Sequence, residues 1–233
     1  MRRISAFFIS ILLLASGHLK GQDSILIPLK LSAGFDISGP VIFMIDRNNL
    51  NVEGFFSADR NEKMSYVIEG GYSRSEYSQH NYDFKAGGIY LRAGVDFNIL
   101  QPEISRGKYR AGVGLRYGAS LYNTETPSLS YENYWGTVTS SVPAANKLGH
   151  FFEVVPGVRT ELFRNISIGW SVRLRLLLSA GTGKELRPVY MPGFGNASRT
   201  GTAGFGYFLV WNIPYKSKMV AIKKEEPEEE DIE

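Results

Sequence analysis

The sequence predicts an all-β protein: an eight-stranded antiparallel up-and-down transmembrane β-barrel with a filled, charged interior. Three observations carry that expectation. Large apolar and small residues alternate with period two from residue 29 to 215, the period of a strand whose successive side chains leave opposite faces of a sheet. The segments between these runs switch between short turns and long polar loops, as in barrels whose turns and loops lie on opposite sides of a membrane. The chain also holds 14 Phe, 13 Tyr, 3 Trp and 25 Gly, which suits one crowded β face backed by one nearly bare face.

The first 24 residues read "MRRISAFFISILLLASGHLKGQDS". Arg2 and Arg3 precede an apolar run from Ile4 to Ala15, and small residues follow. This is the anatomy of a secretory signal peptide, with an apolar core too short for a membrane-spanning helix. Residues 1–21 are assigned to it, with cleavage after Gly21. Without Arg2, Arg3 and Lys20 the net charge falls from +3 to zero. The basic balance of the whole chain therefore gives no support to a nucleic-acid partner. The chain has no cysteine, so neither a disulfide nor a lipid-modified N-terminal cysteine is expected.

Residues 22–28 are expected to form a short periplasmic segment before the barrel, which spans 29–215. Its strands are placed at 29–38, 50–58, 64–75, 84–99, 109–122, 149–162, 166–180 and 202–215. "ADRNEK", "QPEISRGK" and "FRN" are the short turns. "SEYSQHNYD", 123–148 and 181–200 are the long polar loops. The connection "SGPVIFMIDRNN" is apolar and fits neither class. From Lys216 onward the chain holds four lysines and seven acids with little to bury. Residues 216–233 therefore read as a disordered, solvated periplasmic tail.

"ISIGWSVRLRLLLSA" (166–180) decides which face points inward. One face is Ile166, Ile168, Trp170, Val172, Leu174, Leu176 and Leu178; the other is Ser167, Gly169, Ser171, Arg173 and Arg175. Only Leu177 breaks the sorting. The last strand sorts Phe205, Tyr207, Leu209, Trp211, Ile213 and Tyr215 away from Gly204, Gly206, Phe208 and Val210. The interior of an eight-stranded barrel is barely wide enough for side chains. Trp170, Phe205, Tyr207, Trp211, Tyr215, Phe97 and Phe152 would overfill it, along with the leucines. The small-residue face is therefore expected inside, and the aromatic face is expected to meet outer-membrane lipid.

That orientation places twelve charges in the lumen: Lys30, Asp36, Glu53, Glu69, Arg92, Asp96, Arg116, Glu153, Arg159, Glu161, Arg173 and Arg175. Acids and bases balance, and buried charges are tolerable only when paired. Arginine suits the task because its planar fork bridges two carboxylates. A salt-bridged structural plug is expected rather than an ion pathway, with Arg173 and Arg175 meeting Glu153, Glu161 or other luminal acids.

No cofactor, metal or catalytic residue is expected. The mature histidines are His80 and His150, and His80 with nearby Asp83 is the single pair that a rim enzyme could use. "GTGKE" (181–185) fails as a phosphate loop, since Leu178 stands where the first glycine belongs and Glu185 where a Ser or Thr would bind magnesium.

At "IYLRAGVDFNIL", "GVGLRYGASLYN", "FFEVVPGVRTELFRNISIGWSVRLRLLL" and "VYMPGFGNASRTGTAGFGYFLVWNIPY" the chain resembles the Bacteroidota outer-membrane proteins grouped as domain of unknown function 6048. Gly-Leu-Arg-Tyr-Gly at 114–118 and Pro-Gly-Phe at 192–194 are the most specific parts of the resemblance. It implies an integral outer-membrane barrel and carries over no catalytic residue. The expected role is a non-enzymatic accessory or structural subunit of a larger outer-membrane complex, for example one that assembles or exports envelope proteins. Its expected partners are outer-membrane lipid and other outer-membrane or periplasmic proteins. A small-solute or ion transporter is the first alternative, and a rim-located enzyme the second.

Overall fold

The computed structural model describes residues 24–79, 82–181 and 187–221. Its elements run β1 (Ser24–Asp36), α1 (Ser38–Ile45), β2 (Asn49–Asp59), β3 (Met64–Gln79), β4 (Tyr82–Asn98), α2 (Pro102–Ser105), β5 (Tyr109–Asn133), β6 (Gly136–Phe163), β7 (Ile166–Ser179), β8 (Tyr190–Met191), β9 (Gly195–Asn196) and β10 (Gly201–Ala221). Eight strands form one antiparallel ring in the order β1-β10-β7-β6-β5-β4-β3-β2. Closure gives each of these eight strands two neighbours in the ring, as a barrel requires. The predicted strand number and order are those observed.

Period-two alternation is visible in the burial of β7. Trp170, Leu174, Leu176 and Leu178 are exposed, whereas Ser167, Ser171 and Arg173 are buried. The same sorting holds in β10, where Phe205, Leu209, Trp211 and Ile213 are exposed and Phe208, Val210 and Asn212 are buried. Large apolar side chains thus point out of the ring, and the face rich in small and charged residues points in.

The strand ends differ from expectation. Strand β1 starts at Ser24 and β10 continues to Ala221, and the two overhangs pair from Ser24↔Ala221 to Leu29↔Lys216. Part of the segment expected before the barrel, and the first residues of the expected tail, therefore belong to the sheet. Backbone pairing does not require an apolar face, so the lysines and serine of 216–218 did not mark the strand. The expected signal peptide (1–21) and the remainder of the tail lie outside the described residues.

The long polar segment 123–148 is also sheet. Strands β5 and β6 stay paired from Asn123↔Asn146 to Asn133↔Gly136, with register shifts near Thr126. Strand β4 accompanies β5 only as far as Tyr82↔Leu129, so the end of the hairpin runs past the ring. Its side chains are mostly exposed on both sides. With no buried face there is no apolar alternation to read, although Thr, Ser, Tyr and Val still favour extended backbone. Tyr134 and Trp135 form its exposed tip, edge to face, with ring centroids 5.2 Å apart. Gly136, at φ +123°, completes the turn in a conformation that side-chain-bearing residues rarely adopt.

The unassigned connection 38–49 holds helix α1. Asp36 shapes its start, accepting hydrogen bonds from Ser38 N at 2.8 Å and Ser38 Oγ at 2.6 Å. Short connections lie at one end of the ring, between β2 and β3, β4 and β5, and β6 and β7, beside the described chain ends. We call this the turn end, and the opposite one the loop end.

The β7–β10 connection folds inward at the loop end. Its β8–β9 hairpin buries Met191, Phe194 and Ala197 completely, against Tyr122, Phe151, Leu177 and Ala180. Leu177 is therefore no exception. It continues the inward face of Arg173 and Arg175, at the level where the interior becomes apolar. Phe151 and Phe194 meet edge to face with ring centroids 5.8 Å apart. Phe194→Ala is expected to lower the unfolding free energy by about 3 kcal/mol in chemical denaturation. A loss below about 1 kcal/mol would show that this lid contributes little to the fold.

Candidate functional site

The interior between the lid and the turn end is built from charge. Glu53 comes from β2, Glu69 from β3, Arg92 and Asp96 from β4, Arg116 from β5, Glu153 from β6, and Arg173 and Arg175 from β7. Register decides who meets whom. Glu69 lies opposite Arg92, Arg116 opposite Glu153, and Glu153 opposite Arg175. Where no opposite charge faces an ion, a glycine does: Glu53 faces Gly71, Arg92 faces Gly118, and Arg173 faces Gly204. A Cβ at Gly204 would sit 2.7 Å from Arg175 Nη1, and one at Gly114 2.7 Å from Arg116 Nη1. The glycines make room for guanidinium groups.

Arg92 and Glu153 are the centre, with side chains 0 % exposed. Arg92 Nη1 donates to Glu153 at 3.1 and 3.2 Å, and Nη2 donates to Glu53. Arg173 Nη1 donates to Glu69 at 2.7 Å, and its Nη2 donates to Glu53 at 2.6 Å. Strands β7 and β3 stand opposite each other in the ring order, so the Arg173–Glu69 bond crosses the full interior. Arg116 donates to Glu69 at 3.0 Å and Asp96 at 2.7 Å, and Arg175 Nε donates to Glu153 at 2.7 Å. Four arginines are thereby matched by four carboxylates.

Aromatic rings complete the layer. The Arg92 guanidinium lies 4.7 Å from the Tyr90 ring centroid, and that of Arg173 lies 5.4 Å from Phe208, both within cation–π reach. The Tyr90 hydroxyl is 2.9 Å from both Glu53 and Asn51. Arg175 Nη1 donates to Phe194 O at 3.3 Å, which ties the charge layer to the lid.

Eight of the twelve expected luminal charges thus form one network. Lys30 and Glu161 form a separate pair at the turn end, where Lys30 Nζ also donates to Gly107 O at 2.7 Å. Glu161 therefore does not meet Arg173 or Arg175, because it lies several inward positions along β6 from Glu153. Asp36 is buried but not in the network; it bonds to Ser38 and, at 3.4 Å, to Tyr207 N. Arg159 stands apart and makes no ion pair or hydrogen bond among the described residues.

Arg110, Asp59 and Tyr90 belong to the interior and were not among the expected charges or partners. Arg110 donates to Asp59 at 2.6 Å and also bonds Ser65. The signal was present: Arg110 shares parity with Arg116, and Asp59 with Glu53, so extending the alternation to the strand ends would have found both. Of the expected outward residues, Trp170, Leu174, Leu176, Phe205, Leu209, Trp211, Ile213 and Tyr215 are exposed, and Tyr207 is half-buried. His80 lies outside the described residues, and Asp83 accepts a hydrogen bond from Ser78 at 2.6 Å.

Every charge in the central network is engaged by an opposite charge, an arrangement suited to bracing the ring. Among the described residues there is no cluster of three or more metal-ligating side chains.

The chain belongs to the family described as Domain of unknown function (DUF6048), whose model matches residues 3–218. No curated protein matches the sequence. Among solved structures, Neisserial surface protein A (NspA) is similar with 12% identity and a TM-score of 0.36, over 83% of this chain and 100% of that one.

Removing one central carboxylate would leave several arginines undercompensated. Glu153→Gln is expected to cost about 3–5 kcal/mol in chemical denaturation. Lys218→Ala, which breaks the exposed pair with Glu62 at 2.9 Å, is expected to cost less than about 1 kcal/mol.

Proposed function

We propose that the protein is an integral outer-membrane β-barrel, exported by its N-terminal signal, that acts as a non-enzymatic accessory or structural subunit of a larger outer-membrane complex. The observation that carries the membrane reading is the outer surface of the ring. Every strand contributes exposed apolar side chains to it, among them Phe35, Phe56, Ile68, Leu91, Leu115, Val154, Leu174 and Trp211. The outward positions across the middle of the ring carry no Asp, Glu, Lys or Arg, since the charges of these strands point inward. Exposed apolar patches on soluble monomers rarely exceed a few hundred Å². An unbroken apolar girdle is many times larger, and lipid is the solvent that matches it. No helix among the described residues is long and apolar enough to cross a membrane, and a barrel spans with strands.

What supports the subunit role is what the interior leaves free. The charge layer and the apolar lid occupy the lumen, so through-transport has no path at that level. Surfaces available for work are the rims. At the loop end the β5–β6 hairpin projects Tyr134 and Trp135, about nine-tenths exposed, and α1 presents Val41, Ile42, Met44 and Ile45. Exposed aromatic and apolar groups of this kind suit protein contacts. A complex that assembles or exports envelope proteins is one setting that would use such an accessory barrel.

Two measurements test the reading. Leu174→Arg is expected to destabilise the barrel in bilayers by about 2–4 kcal/mol, the cost of an arginine facing the membrane midplane. A negligible effect, or partitioning of the wild type into the aqueous phase without detergent, would remove the membrane reading. Affinity purification in mild detergent is expected to recover stoichiometric companions, and recovery of the protein alone would overturn the subunit role.

A further inference from the structure

Between the central network and the turn end the barrel is hollow. A cavity of about 120 Å³ is walled by Phe55, Val67, Val155, Phe208 and Val210, and its lining includes Gly112, Gly114, Gly157 and Gly169. The glycines on β5, β6 and β7 leave this space, because the inward positions there carry no side chain. Four arginines, Arg110, Arg116, Arg159 and Arg173, also line it, against only two acids, Glu69 and Asp96. Both acids are already held by Arg116 or Arg173.

Arg159 is the anomaly. It lies directly opposite Arg110 in the β5–β6 register, and like charges in that position repel. Asp59 is held by Arg110 and Asp96 by Arg116. Although both carboxylates attract Arg159, it makes no ion pair within 4 Å and no hydrogen bond among the described residues. A second unmet group faces the same cavity: Ser171 Oγ is buried and makes no hydrogen bond, in a residue only 8% exposed. A half-buried guanidinium without a bonded carboxylate and a buried hydroxyl without a hydrogen bond thus line the same space, and together they suit an acceptor that the chain does not supply.

We propose that this chamber binds a small apolar monocarboxylate, with its carboxylate on Arg159, beside Arg110, and its apolar body against Phe55, Val67, Val155 and Phe208. The planar guanidinium matches a carboxylate through two parallel hydrogen bonds. At about 120 Å³ the chamber is somewhat smaller than an engineered apolar cavity of roughly 150 Å³ that binds benzene. This limits the body to one small ring or a short chain, with the carboxylate reaching Arg159 where the adjoining cavity begins. A bare inorganic anion would satisfy Arg159 but leave the apolar walls against water. Access comes from the turn end, because Arg110, Arg159 and Asn98 also line a smaller cavity, of about 30 Å³, bordered by Asn61, Glu62, Ser105, Gly107 and Lys108 of the turns. The site is independent of any protein partner, so its test is separate from the pull-down.

The probe is 4-fluorobenzoate, followed by fluorine NMR on the full mature chain folded in detergent, with 4-fluorobenzyl alcohol as the neutral match. Saturable binding of the benzoate is expected, with the alcohol and the Arg159→Gln variant each weaker by about tenfold or more. Arg159 contributes no ion pair to the fold, so Arg159→Gln is expected to melt no lower than wild type. Val155→Phe, which fills the chamber while leaving Arg159 in place, is expected to abolish binding too. Equal binding by wild type and Arg159→Gln would overturn the proposal, because the probe would then be partitioning into detergent. Absence of saturable binding would overturn it as well, as would displacement of the probe by inorganic phosphate at equal concentration.

Discussion

The structure depends on neutralising charge inside a closed ring. Moving a carboxylate or guanidinium out of water costs several kcal/mol per ion even after relaxation. Eight such groups share the central layer, from Glu53 on β2 to Arg175 on β7. They are offset because the forks of Arg92, Arg116 and Arg173 each reach two or three carboxylates, while Arg175 holds Glu153. Arg92 meets Glu53, Glu69 and Glu153, and Arg173 meets the same three. The layer therefore joins strands that do not touch in the sheet, and it fixes how the ring is filled.

Other features answer to that layer. Glycines sit beside guanidinium groups because the barrel is too narrow for both a Cβ and an arginine at Gly204 or Gly114. The lid lies above it, where Phe194 O accepts from Arg175 and Thr202, so the apolar plug and the charge plug are continuous. Below it, inward glycines such as Gly112, Gly157 and Gly169 leave side-chain space unfilled, and a chamber opens. Across the middle of the ring the outward face is free of charge because the charges of these strands are spent within. One division of labour thus gives the barrel its girdle, its plug and its hollow.

Much of this was legible in the sequence. Alternation identified eight strands and their inward faces, and it put Glu53, Glu69, Arg92, Asp96, Arg116, Glu153, Arg173 and Arg175 in one interior. The signal failed where neither face is buried, as in the β5–β6 hairpin, and where pairing extends over polar residues, as at 216–221. It also could not say that Glu161 stays at the turn end with Lys30, or that Asp36 serves the start of α1. Those outcomes depend on height along the barrel, which strand parity does not encode.

By itself the sequence determined that the twelve expected luminal charges would stand on the inward faces of their strands, because a period of two fixes the face on which each residue stands. Only the tertiary structure decided which ions meet, since that is set by stagger between strands and by distance across the ring. The tertiary structure alone shows the anomaly. Arg110 and Arg159 look like any two inward arginines until register places them opposite each other, with Asp59 bonded to Arg110 alone. Parity is a local property of the chain, whereas charge balance at a given height belongs to the closed barrel.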